Sequence, residues 1–214
     1  MSKLIDKKLI DYINDVDSSL PAPGGGSVMG AVGSLACALA GMVGHLTVNK
    51  KKFLELSQEE QDNFNNAIEN IRIIKNKLME IVDKDAESFN AFMEAMKLPK
   101  NTDEEKEKRK TAISEAAKKA IDIPFSALKS CYELMPFFKT VIKYGNSNVV
   151  TDIASAYVLV FACAKGSVLN ININIPLIND DSFLNNIKIN TKEYLNTIEN
   201  NFYNIEKEIL LFRI

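Results

Sequence analysis

Pro21-Ala-Pro-Gly-Gly-Gly-Ser27 runs directly into Val28-Met-Gly-Ala-Val-Gly-Ser-Leu-Ala-Cys-Ala-Leu-Ala-Gly-Met-Val-Gly-His-Leu46, and the reading of this stretch decides the fold. Two prolines and three glycines make a stiff, tightly turned lead-in. Nothing from Ser27 to Leu46 carries a formal charge. Gly26, Gly30, Ser34, Cys37 and Gly41 recur at three- and four-residue spacing, which sets them on one helical face. Val28, Val32, Leu35, Leu39 and Met42 occupy the other. A helix that is apolar nearly all round belongs at the centre of a membrane, a bundle or an active site. Ser27–Leu46 is long enough to span a bilayer, and Gly26 and Gly30 form a GxxxG packing pair. Its hydrophobicity comes largely from Ala and Gly, however, which insert weakly. The expectation is a buried helix of a water-soluble bundle, with no membrane.

Working outward, Lys3–Val16 reads as an amphipathic helix through Leu4, Ile5, Leu9, Tyr12, Ile13 and Val16. The central helix ends at the cations Lys50, Lys51 and Lys52, which suit the negative end of its dipole. Ser57-Gln-Glu-Glu60 is a capping-box signature. It opens a very long helix, Gln58 to Met96, with the stripe Ala67, Ile71, Ile74, Leu78, Val82, Phe89, Phe92 and Met96. Leu98-Pro99 stops it, and Thr102 or Asp103 starts the next helix. That helix is expected to break at Pro124, and its successor to kink near Pro136 before Tyr144. Gly145-Asn-Ser-Asn148 is a turn leading to a second nearly uncharged helix, Val149–Ala164. Asn170–Pro176 alternates like a strand but has no partner strand, so it reads as helix continuation or an extended segment. Asp180 or Asp181 begins a last helix running close to the C-terminus. The expected fold is all-α: one domain over residues 1–214, a helical bundle with two buried central helices and one very long helix.

The totals fit. The chain has 214 residues, 46% hydrophobic and 25% charged, enough for a sizeable core in a soluble domain. A net charge of -2 gives no basic bias towards nucleic acid. Cys37, Cys131 and Cys163 have neither zinc nor disulfide-framework spacing and read as buried reduced thiols of a cytoplasmic protein. The charged N-terminus lacks the apolar core of a signal peptide. With His45 as its one histidine, the sequence offers no His-rich metal site.

Asp85 is the sharpest chemical signal. It falls within the apolar stripe of the long helix, whereas Asp83 groups with Glu87, Asn90 and Glu94 on a polar face. Burying a carboxylate costs several kcal/mol unless it is paired or protonated, and it raises the pKa. Either Asp85 is functional, or it caps another helix or pairs with a lysine. The loop Gly24-Gly25-Gly26-Ser27 and the turn with Asn146 and Asn148 both feed helix N-termini, whose free N–H groups attract electron-rich ligands. The bland alternative for the loop is a helix start that needs close packing. Asp152 reads equally as a dipole partner, and Asn146, Asn148 and Asn170 as caps. Lys50–Lys52 are a solvated run or a site for an anionic tail.

These motifs, in this order, resemble the cyclodeaminase/cyclohydrolase family of folate enzymes. The matching residues are Pro21–Ser27 with its small-residue helix, Leu46-Thr47 with the lysines, Asp85-Ala86 with a following aromatic, Leu98–Lys106, Ile123-Pro124, Gly145–Asn148 with Asp152, and Asn170–Asn174. The resemblance implies an all-α homodimer acting on a tetrahydrofolate derivative, with no metal and no cofactor beyond the folate. The implied reaction is hydrolysis of 5,10-methenyltetrahydrofolate to 10-formyltetrahydrofolate; the alternative is cyclodeamination of formiminotetrahydrofolate with release of ammonia. A non-catalytic helical binding or scaffold protein is the competing class. Asp85 matches the acid thought to accept the proton. Gly24, Gly25, Gly26, Ser27, Asn146, Asn148, Asp152 and Asn170 would hold the substrate, with Lys51 on its glutamate tail. The small-residue face becomes the wall of a folate cleft or a dimer seam. Thr151, Ser167 and His45 stand where Ser, Ala and Asn are common in the family.

Overall fold

The structure is a computed structural model and describes residues 3–205. Over these residues it is an all-α bundle of seven helices, α1 Leu9–Val16, α2 Gly25–His45, α3 Lys51–Leu54, α4 Gln58–Lys97, α5 Asp103–Tyr144, α6 Val150–Asn174 and α7 Asp181–Ile205. The part of the last helix expected beyond Ile205 lies outside the described residues.

Two capping boxes start the long helices. Ser57 Oγ accepts from the Glu60 N–H at 3.3 Å while the Glu60 carboxylate accepts from the Ser57 N–H at 3.1 Å. Thr102 and Glu105 repeat this reciprocal pair at the start of α5. Each box satisfies N–H groups that a helix start otherwise leaves open. The 40-residue α4 and 42-residue α5 form an antiparallel hairpin. Its register is marked by Lys77–Glu133 at 3.7 Å and by Arg109 donating to the Met96 carbonyl at 3.1 Å.

Around a common core, α2 neighbours α4 and α6, and α5 neighbours α4 and α6, with α7 laid on α5 and α6. Phe64, Ile71, Leu78, Leu128, Phe138 and Tyr157 are fully buried there. Phe138 and Tyr157 meet edge-on at 5.5 Å, a favoured aromatic geometry. Cys37, Cys131 and Cys163 are buried free thiols, and burial pushes Cys37 up to about 12.

The small-residue face of α2 turns inward. A Cβ on Gly30 would lie 3.0 Å from the Leu78 carbonyl and 3.1 Å from the Val82 nitrogen, so α2 and α4 meet backbone to backbone. Beyond its first turn this face is therefore a helix–helix contact, not a cleft wall or dimer seam. The bulky face is the open one: Leu35 is 57% exposed on α2, and Leu169 and Ile173 are 71% and 74% exposed on α6.

Two expectations about helix extent change, and a third, open between helix continuation and an extended segment, resolves to helix. α5 does not break at Pro124; both Pro124 and Pro136 sit inside one helix. Each proline forfeits one ladder bond, and the fully buried Ile121, Leu128, Cys131 and Leu134 hold the helix across the gaps. α6 continues to Asn174, where the Asn170 and Asn174 amides donate to carbonyls one turn back, at 2.8 and 3.0 Å. The N-terminal segment is a 3-10 turn, Leu4–Asp6, followed by the short α1.

Candidate active site

Asp85 lies where α4 passes the start of α2. Ile81 and Val82 are buried in the core, but α4 then outruns α2. Its stripe emerges, with Phe89 and Phe92 half-buried and Met96 exposed. The Asp85 carboxylate is thus at the core's edge, half-buried. Its Oδ2 accepts the Ser27 N–H at 2.9 Å, one of the free donors in the first turn of α2. Oδ1 has no hydrogen-bond partner among the described residues. Asp85 therefore caps α2 with one oxygen and leaves the other without a partner among the described residues.

Gly26 makes this approach possible. A Cβ there would stand 2.0 Å from Asp85 Oδ1 and 2.5 Å from its carboxyl carbon. At Gly25 a Cβ would come within 3.3 Å of the Asn170 amide from the end of α6. Gly24 has only the Pro21 carbonyl near, at 3.8 Å. None of the three has a positive φ, so it is closeness, not unusual backbone, that the site takes from glycine.

Burial pushes the Asp85 carboxyl above its ordinary range, and the Ser27 N–H pulls it partly back. Asp85 forms no ion pair among the described residues. Tyr12 of α1 brings its hydroxyl to 3.0 Å from Ser27 Oγ. Burial pushes the phenol up; the Ser27 contact lowers it, and the charges of Asp85 and Asp83 raise it. Asp83 lies on the opposite side of α4, as its polar grouping predicts, and accepts the Leu4 N–H at 2.5 Å. A cavity of about 650 Å³ on that side is lined by Lys3, Lys7, Asp83, Glu87 and Asn90.

The remaining predicted residues gather elsewhere. The Asn146 N–H donates to Thr47 Oγ1 at 2.9 Å and its amide to the Leu46 carbonyl at 3.2 Å. Asn146 Oδ1 accepts from the Asn148 N–H at 3.0 Å. Beside them Lys50, Lys51, Lys52 and Lys143 line a cavity of about 510 Å³. Asp152 is half-buried in the first turn of α6. This group sits at the C-terminal end of α2, whose 21 residues span about 31 Å. Within one chain, Gly25, Gly26, Ser27, Asp85 and Asn170 come together, and Lys51, Asn146, Asn148 and Asp152 form a separate cluster at the other end. The expected grip of both loops on one pterin is not met inside a single chain.

Tyr12 is a neighbour of the glycine loop that the periodicity hid, because a tyrosine fits an apolar stripe. Its hydroxyl was the available signal. Among the described residues no group of three or more His, Cys, Asp or Glu is arranged to hold a metal ion.

The fold is an all-α bundle in which one half-buried carboxylate meets the start of a glycine-led helix. Comparison with known proteins gives the family. The formiminotransferase-cyclodeaminase profile matches residues 8–193, and the chain belongs to that family. A methenyltetrahydrofolate cyclohydrolase of Methylorubrum extorquens is 34% identical over 172 residues, 80% of this chain and 81% of that protein. The formimidoyltransferase-cyclodeaminase of Rattus norvegicus is 32% identical over 180 residues, 84% of this chain but only 32% of that longer protein. The crystal structure of formiminotetrahydrofolate cyclodeaminase from Thermotoga maritima superposes with a TM-score of 0.84 at 26% identity, covering 97% of this chain and 98% of that one.

Proposed function

We propose that this chain is a cytoplasmic methenyltetrahydrofolate cyclohydrolase that reversibly converts 5,10-methenyltetrahydrofolate to 10-formyltetrahydrofolate, with no cofactor beyond the folate. The observation that carries the reading is Asp85: a half-buried carboxylate with a raised pKa, one oxygen fixed by Ser27 and the other unpartnered among the described residues. The methenyl bridge is a delocalised cation whose carbon is already electrophilic. Asp85 takes a proton from the attacking water as the C–O bond forms. It returns that proton to N5 as the C–N5 bond breaks, while the hydroxyl oxygen gives up its remaining proton to solvent as the C=O forms, leaving the formyl group on N10. A carboxyl whose pKa lies above the ordinary range suits both steps, and its charge stabilises the cation before attack. The half-buried Phe89, one turn beyond Asp85, offers a ring to the planar pterin or aminobenzoyl group.

Cyclodeamination is the second reading, favoured by the near end-to-end match to the Thermotoga enzyme. There N10 attacks the formimino carbon, and the same carboxyl delivers a proton to departing ammonia.

The active form in this reading is a homodimer. The open face of α2 has Val28, Ala31, Leu35, Ala38 and Met42 at alternating three- and four-residue spacing, a seam suited to another helix. Ser147–Leu177, like α2, has the length and apolarity of a membrane span. A second copy covers both open faces without lipid. Antiparallel packing of two α2 helices about their midpoints brings the partner's lysine cavity to the Asp85 end. Lys51 and its neighbours then receive the glutamate tail, and Asn146, Asn148 and Asp152 the substrate's polar edge.

The test is the methenyl absorbance band. Its loss on adding enzyme to 5,10-methenyltetrahydrofolate supports the cyclohydrolase. Its appearance from formiminotetrahydrofolate, with ammonia released, supports the cyclodeaminase. No change with either substrate removes both.

A further inference from the structure

We propose that Tyr12 is a positioning residue for the active carboxylate, acting through Ser27: its hydroxyl fixes the serine whose N–H addresses Asp85. The proposal rests on the assignment of Asp85 as the acid–base group.

Ser27 is wholly buried, and Tyr12 is the hydrogen-bond partner of its hydroxyl among the described residues. The same residue donates its N–H to Asp85 Oδ2 at 2.9 Å. One residue thus touches Tyr12 with its side chain and Asp85 with its backbone. α1 buries none of its own residues. Among the described residues, the Tyr12–Ser27 contact is also the one hydrogen bond joining α1 to the helices of the bundle. Tyr12 therefore ties α1 across the glycine turn and clamps the first turn of α2 from outside. An unclamped Ser27 hydroxyl would have to find another partner inside its own helix, which competes with the helical geometry of that turn.

The groups around Asp85 make the consequence specific. From α1, Tyr12 faces the site. α2 offers free N–H groups and no titratable side chain along this end. α6 offers the neutral Asn170. On α4, Asp83 is turned to the opposite side and engaged by Leu4. On α5, at the corresponding level of the hairpin, Lys118 is paired with Glu115 and Asp180, and Asp122 is exposed. The Ser27 N–H is therefore the contact that holds the carboxylate's proton affinity down against burial. Loosening it moves Asp85 upward in pH.

The experiment follows the Asp85 carboxyl carbon by 13C NMR through a pH titration of the full chain, in wild type, Tyr12→Phe and Ser27→Ala. Both variants are expected to titrate at higher pH than wild type. Tyr12→Phe in the Ser27→Ala background is expected to add nothing, since the link it breaks is already gone. Ile13→Ala, on the exposed side of α1, is expected to leave the midpoint unchanged. With folate, Tyr12→Phe should lower kcat about three- to tenfold, less than a full 1 Å misplacement costs, with KM within about twofold. Coincident midpoints for wild type and Tyr12→Phe overturn the proposal. If Tyr12→Phe fails to fold, coincident midpoints for wild type and Ser27→Ala overturn it equally. An upward midpoint in a chain inert towards both folates keeps the positioning role and removes the catalytic assignment.

Discussion

Gly26→Ala puts a methyl group where the Asp85 carboxylate already stands. The added Cβ falls 2.0 Å from Asp85 Oδ1 and 2.9 Å from Oδ2. Carbon–oxygen contact needs about 3.2 Å, and the helix start is braced by backbone packing at Gly30, so the backbone has little room to retreat. The carboxylate yields instead, by about 1.2 Å, and the 2.9 Å bond from Ser27 is broken or stretched. A displacement of about 1 Å at a reacting group costs about 100-fold in rate, or about 2.7 kcal/mol in the barrier. The fold itself should survive, because alanine is the better helix former by up to about 1 kcal/mol. The expected outcome is a variant with a native far-UV spectrum and near-native melting whose kcat on 5,10-methenyltetrahydrofolate, followed by loss of the methenyl band, drops about 100-fold with little change in KM. A Gly26→Ala enzyme within threefold of wild-type kcat would refute the claim that the carboxylate works from this position.

Three further outcomes follow from the same geometry. Asp85→Asn keeps an acceptor for Ser27 but removes a buried charge. Because the folded-state pKa of Asp85 is raised, its ionisation costs stability above the ordinary carboxyl range near 3.8 and costs nothing below it. Asp85→Asn should therefore melt above wild type at pH 7, with the gap closing as pH falls towards that value. Leu35→Glu on the open face of α2 should convert the dimer to monomer in sedimentation equilibrium and abolish turnover, with the monomer still helical. Lys51→Ala with Lys52→Ala should raise KM for the glutamate-bearing substrate severalfold, weaken its salt dependence and leave kcat within twofold, since screening acts on exposed charges.

The helix boundaries that were legible in the sequence are those set by local chemistry. Ser57-Gln-Glu-Glu announces α4 because capping is a four-residue event, and Pro-Gly-Gly-Gly-Ser announces α2. Pro124 misled because a local rule was overridden by packing: a buried face that includes Ile121 and Leu128 holds a helix that the ladder alone would release. Asp85 was legible as a polar intrusion in an apolar stripe, since that pattern is one-dimensional. Its contact with Gly26, far away in sequence, was not, and nor was the inward turn of the small-residue face. Periodicity says which residues share a face, never which neighbour that face meets. For the same reason the lysine turn and the glycine loop looked like one site of a single chain, when a helix of 21 residues separates them within it. Tyr12 was invisible because its ring satisfies the stripe and its hydroxyl function depends on a partner fifteen positions on.

The most direct measurement is single-turnover loss of the methenyl band with wild type and Asp85→Asn side by side, at enzyme in excess over 5,10-methenyltetrahydrofolate. Wild type should clear the band, and Asp85→Asn should bind the folate yet hydrolyse it at least about 100-fold more slowly. Equal rates for the two proteins would contradict the assignment of the chemistry to Asp85.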